Sequence, residues 1–358
     1  MIEREGHDAP AQRRGQRLTL VRLIWLVFFL LVAVLVVTNF NEARQIASEL
    51  RSARPLYLGA AAVVEILFVL NLTLFYTTTF WSTGLRASVG RFVFITQASY
   101  FVNLVSKTGG IGGIAFYLQE ARWSRQPAAR VSAAYMVAYV LGYAAFLVVL
   151  VAALILLYLQ GTLTQAEVIA SLIITVIIVV LGAVPVAALS SRTALERMYL
   201  LGAKAANLVA SRLHRERVVD LDSTRVAADE LYEAITFVAK RPLRYLLPFL
   251  HALGIELLAA ALLYLMAHAV GADINVQQAL SAYAISLLFS LVAITPSGLG
   301  FVEVSLSVLL VSFGVSRNTA IAAALGYRFF EFWLPVALGA ASLPVLQRIQ
   351  RSPERDET

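Results

Sequence analysis

Lys107-Thr108-Gly109-Gly110-Ile111-Gly112-Gly113 interrupts one long apolar stretch of this chain, and Thr295-Pro296-Ser297-Gly298-Leu299-Gly300 interrupts another, one in each half. Each surrounding stretch is apolar enough to enter a bilayer, yet Gly and Pro break helices. In hydrocarbon every backbone group freed by such a break must find a partner. Broken segments at membrane depth therefore sit inside protein or line a watery cavity. Paired interruptions at matching positions of two halves are the sequence sign of a transporter's binding site.

Composition around these breaks sets the class. Of 358 residues, 59% are hydrophobic and only 14% charged, with a mean hydropathy of +0.77. Soluble domains run nearer about 45–50% apolar and about 25% charged. The chain is an all-α polytopic membrane protein. It has no cysteine, which excludes disulfides, thiol nucleophiles and iron–sulfur clusters. The net charge of +7 is concentrated in a few hydrophilic stretches. It reads as a topology signal, with or without contact to anionic lipid, and not as nucleic-acid binding.

Working outward from the breaks gives the order of spans. Leu20–Val37 follows Arg13, Arg14 and Arg17 and reads as a retained helix, because no convincing small-residue cleavage site follows it. Leu56–Phe80 is the next span, and the first hairpin covers Phe92–Tyr117. Val131–Leu159 and Val168–Leu189 follow. Ser190–Arg244 is hydrophilic, with interleaved bases and acids and a loosely helical leucine spacing. It is read as a cytoplasmic linker, either amphipathic helices at the membrane surface or a solvated connection. The second half has a span at Tyr245–Ala269, a hairpin at Ala279–Phe313 and a final span at Thr319–Leu343.

The arginine bias orients these segments. Basic residues precede the first span, flank the first hairpin (Arg86, Arg91, Arg122, Arg125, Arg130) and close the chain (Arg348, Arg351, Arg355). Both termini then face the cytoplasm of a plasma, or inner, membrane. The first hairpin enters from inside and the second from outside. Span, hairpin and span begin near 56, 92 and 131 in one half and near 245, 279 and 319 in the other. The expectation is one membrane domain over 1–358 built as an inverted-topology repeat. Its parts are an N-terminus at 1–19, repeats at 56–159 and 245–343, and the linker at 190–244. Each repeat carries a glycine-broken re-entrant hairpin, with breaks at Gly109, Gly110, Gly112 and Gly113 and at Pro296, Ser297, Gly298 and Gly300.

Ionisable residues inside these segments are the candidate site. One at the bilayer centre costs about 2.5–3.5 kcal/mol on insertion scales, so it faces protein or a cavity. Glu65 lies in the second span and Glu256 in its counterpart. Lys107 stands at the first break and Glu303 just after the second. Arg328 and Glu331 lie three residues apart in the last span, on one helical face. Asn103, just before the first break, joins them as a headgroup contact. Structural roles compete with these: an internal Arg328–Glu331 ion pair, Glu303 as a carboxylate at a helix start, and Glu65 and Glu256 satisfied by Arg or Tyr neighbours. Lys107 could equally extend to the surface. Lys107 and the helix N-termini after Gly113 and Gly300 suit a phosphate. No catalytic set, metal cluster or cofactor motif is apparent, and no Walker-type loop is present.

At this point the residues resemble a known family. Thr295-Pro296-Ser297-Gly298-Leu299-Gly300-Phe301-Val302-Glu303 looks like the Pro-Gly-Gly-Leu-Gly…Glu signature of the lysylphosphatidylglycerol synthase transmembrane-region family. That family includes the flippase domain of the multiple-peptide-resistance proteins. Ala322-Ala323-Ala324-Leu325-Gly326-Tyr327-Arg328 is similar to its helix ending in Arg, and Trp333-Leu334-Pro335 with Gly339 to its closing pattern. The resemblance runs from about Leu20 to Leu343. Two departures stand out: Ser297 replaces a Gly, and Lys107-Thr108-Gly109-Gly110 differs from the usual first-hairpin wording.

The resemblance implies a flippase or scramblase that moves a charged-headgroup lipid between leaflets, with anionic or polyprenyl-linked membrane lipids as substrates. On this expectation Lys107 and Arg328 attract the phosphate, while Glu65, Glu256, Glu303 and Glu331 pair with those cations or with a headgroup amine. With only 347–358 after the last span, no aminoacyl-transferase domain is expected here, so the substrate is made elsewhere. Two alternatives stay open: an intramembrane enzyme acting on lipid or polyprenyl phosphate, and a non-transporting membrane partner of a lipid synthase or glycosyltransferase.

Overall fold

The computed structural model describes residues 53–106, 112–159, 191–197, 240–292 and 298–351, with isolated positions between 172 and 236. The expected span at Leu20–Val37, all but Leu172 of the span at Val168–Leu189, and Lys107, Gly109, Gly110, Pro296 and Ser297 lie outside these residues. The described helices belong to one compact unit, Ser52–Thr358.

Every regular element among the described residues is helical. The first half contains α1 (Pro55–Ser82), α2 (Val89–Val105), α3 (Ile114–Trp123) and α4 (Ala128–Leu159). The second contains a 3-10 turn (Pro242–Tyr245) running into α5 (Leu246–Ala269), then α6 (Val276–Val292) and α7 (Phe301–Ser312). It ends with α8 (Arg317–Arg328), a π-helical turn (Phe329–Trp333) and α9 (Leu334–Arg351). Four helical stretches, Pro55–Ser82, Ala128–Leu159, Pro242–Ala269 and Arg317–Ile349, are long and apolar enough to cross a membrane. In each, less than half of the most apolar window is buried within the chain. The remainder is left for lipid, as with Val63, Ile66, Leu67 and Leu70 on α1.

Helix bounds differ from the expected spans in an informative way. α4 begins at Ala128, ahead of the apolar stretch, and takes in Arg130. Hydropathy marks where lipid begins, but backbone hydrogen bonding continues into water. The last span is not one regular α-helix. Pro335 has no N–H to return to the carbonyl of Glu331, and the register slips by one. The amide of Leu334 donates to Phe329 O, an i→i−5 bond that closes the π turn.

The buried hydroxyls on α1 are satisfied within the helix. Thr77 and Thr79 donate to the carbonyls four residues back, Thr73 O and Phe75 O, each at 2.7 Å. This removes unpaired polar groups from an apolar surrounding.

α1 and α5 run antiparallel and pack along their whole length. At one end Arg54 N donates to Ala269 O at 2.8 Å. At the other, Ser82 Oγ donates to Arg244 O at 2.8 Å. Midway, Asn71 Nδ2 donates to His251 O at 2.8 Å, and Asn71 Oδ1 meets His251 Nδ1 at 2.7 Å. Gly254 makes this approach feasible, since a Cβ there would lie 3.0 Å from Asn71 Nδ2.

Several features recur in the two halves. α2 and α6 are each 17 residues long, and the intervals that follow them, 106–113 and 293–300, are equal. Glu65 stands ten residues after Pro55, and Glu256 ten residues after Leu246. Packing repeats as well: α1 lies on α2 as α5 lies on α6, and α3 on α4 as α7 on α8. Across the halves, α2 lies on α9 as α6 lies on α4. Alanine-rich contacts hold these pairs, for example Ala267, Ala279, Ala320 and Ala323 around Leu310 and Ile274.

Candidate functional site

The second break is built for its geometry. Gly300 has φ +83°, a region costly for residues with a Cβ. It turns the chain into α7 and places Glu303 in that helix's first turn, where the helix dipole favours a carboxylate.

Arg328, at the end of α8, is completely buried. Its Nε donates to Glu303 Oε1 at 2.6 Å, and its Nη1 donates to Glu331 Oε2 on the π turn. The guanidinium also lies over the Phe332 ring, 4.9 Å from its centroid. The π turn brings Glu331 and Phe332 onto the same guanidinium. The Arg328–Glu331 pairing read from sequence is thus present, but Glu303 makes it a triad across α7, α8 and the π turn.

Two further carboxylates, Glu65 on α1 and Glu256 on α5, are buried within the chain. Glu256 on α5 accepts a 2.7 Å hydrogen bond from the Tyr283 hydroxyl of α6. Glu65 on α1 is 4% exposed, and its Oε1 has no hydrogen-bond partner among the described residues. Glu331 is within electrostatic range of Glu65. Tyr100 of α2 is in range of Glu65, Glu256, Glu331 and Arg328 together, and Tyr327 of α8 is in range of Glu256, Glu331 and Arg328. The hydrogen bonds join α7, α8 and the π turn in the triad, and α5 to α6 through Glu256 and Tyr283. Glu303 Oε2 is also buried without a partner among the described residues.

Asn103 stands elsewhere. Its Oδ1 accepts from Gly113 N at 2.8 Å, and its Nδ2 donates to the Tyr135 hydroxyl at 3.1 Å. It ties the chain after the first break to α2 and α4. Gly113 is required there by close approach, since a Cβ would fall 2.7 Å from Asn103 Nδ2. Tyr76, Tyr117 and Tyr135 stack beside this clamp, with ring centroids 5.1–5.8 Å apart. Gly112, Gly298 and Gly300 are also described.

Sequence reasoning did not single out Tyr283, Tyr100, Tyr327, or the Asn71–His251 pair. Tyrosines in apolar helices were a usable signal, because a buried hydroxyl needs a partner. Which carboxylate each would meet depends on helix rotation, which periodicity does not report.

Comparison with curated proteins returned no match. Residues 20–339 match the family described as the lysylphosphatidylglycerol synthase TM region. That match spans most of the chain and includes every helix that contributes to the buried ionic group. This multi-pass membrane protein belongs to the lysylphosphatidylglycerol synthase TM region family.

Proposed function

We propose that this protein is a lipid translocator, moving a lipid with a charged headgroup between the leaflets of a plasma, or inner, membrane without chemical change to it. The observation that carries this reading is the ionic group of Arg328, Glu303, Glu331, Glu256 and Glu65. Ionisable residues at membrane depth are costly and mark substrate or ion pathways. Here they come from both halves of the chain. The headgroup crosses past this group while its tails remain in hydrocarbon.

The architecture supports the reading. Antiparallel α1 and α5, the equal lengths of α2 and α6, and packing that repeats on exchange of the halves fit an inverted-topology repeat with two re-entrant hairpins. Arg86, Arg122, Arg125, Arg130 and Arg241 lie on the loops and helix ends near the C-terminus of α1 and the start of α5, fitting a cytoplasmic face there. Because Arg328 is buried and held by two carboxylates, its role is to organise the path. Lys107 and the helix starts after Gly113 and Gly300 are the groups offered to a phosphate. Family membership supports a membrane-lipid substrate.

Headgroup translocation in proteoliposomes tests this, using fluorescent anionic and zwitterionic lipids with a dithionite quench. Protein-dependent access to inner-leaflet label, reduced in both Lys107→Ala and Arg328→Ala, is expected. A folded sample that moves none of the lipids would overturn the reading.

A further inference from the structure

Among the described residues, four buried or half-buried carboxylates, Glu65, Glu256, Glu303 and Glu331, are set against the one buried guanidinium, that of Arg328. That guanidinium is already committed to Glu303 and Glu331. Glu256 has a neutral partner, the Tyr283 hydroxyl. Glu65 is 4% exposed, and its Oε1 is buried with no hydrogen-bond partner among the described residues. An unpaired, unsolvated carboxylate in an apolar interior is very costly. Among the described residues no cation pairs with Glu65, and a proton is the counter-charge that needs no further ligand.

The surroundings of Glu65 agree. From the π turn it faces Glu331, and from α2 it faces the Tyr100 hydroxyl. α5 carries Glu256, which is taken up by the Tyr283 hydroxyl, and, further along, His251, whose Nδ1 is taken up by Asn71. On α4, Tyr135, Tyr139 and Tyr143 form a file of adjacent rings. The 3-10 turn contributes Arg244 and Tyr245, which are at the far end of α1, beside Ser82. Arg328, on α8, is held by its own two carboxylates. Among these groups Glu331 is the charged neighbour in range of Glu65, and it bears the same sign.

We infer that Glu65 is a proton-binding site, and that its loading and release are coupled to headgroup crossing. This rests on the translocator reading. The step is simple: the Glu65 carboxylate takes a proton from water on one face to become the neutral acid, and returns it to water on the other. No bond to lipid forms and no electron moves.

Two measurements on the full chain in lipid vesicles test this. Infrared titration should show a carboxylic-acid C=O band that disappears as pH rises and is missing from Glu65→Gln; an identical titration in both proteins would overturn the site. Lipid translocation is then timed under opposite pH gradients. The wild-type rates should differ severalfold between the two gradients, and the residual exchange in Glu65→Gln should be the same under both. Equal wild-type rates, or an unchanged response in the variant, would overturn the coupling. If no lipid moves under either gradient while the band still titrates and depends on Glu65, the translocator reading and the coupling both fall, and the proton site stands alone.

Discussion

Arg328 Nε donates to Glu303 Oε1 at 2.6 Å, joining the end of α8 to the first turn of α7. The pair ties the helix that follows the second break to the last span. A bond between a fully buried guanidinium and a helix-start carboxylate is costly to form and more costly to break. Removing one partner of such a pair typically costs about 3–5 kcal/mol, because the other charge is left uncompensated.

Arg328→Ala is therefore expected to lower thermal stability in detergent sharply, and Arg328→Lys to recover part of the loss, since an ammonium lacks the planar fork that meets two carboxylates. The triple change Arg328→Met, Glu303→Gln, Glu331→Gln should be more stable than Arg328→Ala alone. Unfolding midpoints followed by circular dichroism give the comparison, and an order in which the triple variant is the least stable would remove the triad from this account.

Asn71 and His251 fasten the antiparallel spans. Side-chain bonds between membrane helices average about 0.6 kcal/mol and reach about 1.7 kcal/mol. Asn71→Ala should fall at the upper end, because it also frees the His251 ring. Gly254→Leu should cost more, by forcing α1 from α5. A double-mutant cycle between Asn71 and His251 measures the coupling; a value near zero would mean that packing alone holds the spans.

The two glycine breaks respond differently to alanine. Gly300 has φ +83°, so Gly300→Ala costs about 1–3 kcal/mol for a positive-φ backbone that residues with a Cβ rarely adopt. Gly113 has a helical φ of −67°, and its cost comes from contact with Asn103 and Ser99. Ser99→Ala, which removes the nearest atom, should therefore soften the effect of Gly113→Ala and leave that of Gly300→Ala unchanged. Additivity of both pairs, read from unfolding midpoints, would contradict this.

In the segment expected as the linker, Arg192 Nε donates to Asp229 Oδ1 at 2.7 Å. This hydrogen bond, with the guanidinium charge, holds the Asp229 carboxyl below its ordinary value. A carboxyl lowered on folding contributes stability that is present above its unfolded value and lost as pH falls through the folded one. Protection factors of the amides at 192–197, taken relative to intrinsic exchange at each pH, should fall in that acidic window, and Asp229→Asn should show the lower protection already at neutral pH. Both groups are exposed, so the effect is small and screened by salt.

Much of this protein is determined by sequence alone. Hydropathy makes it a helical membrane chain, because lipid accepts few charges and no unpaired backbone. The runs around Gly112-Gly113 and Gly298-Leu299-Gly300 mark the breaks, since glycine's conformational cost is local. Glu65, Glu256, Glu303, Arg328 and Glu331 are visible as ionisable residues in apolar surroundings, and the wording from Thr295 to Glu303 carries the family. Only the tertiary structure decides that Arg328 is shared between Glu303 and Glu331, that Glu256 meets Tyr283 while Glu65 Oε1 meets no partner among the described residues, and that Asn103 clamps Gly113. Periodicity reports which residues share a face of one helix. Which faces meet is set by helix rotation, by the approach that Gly254 allows between α1 and α5, and by the register slip before Pro335 that turns Glu331 toward Arg328.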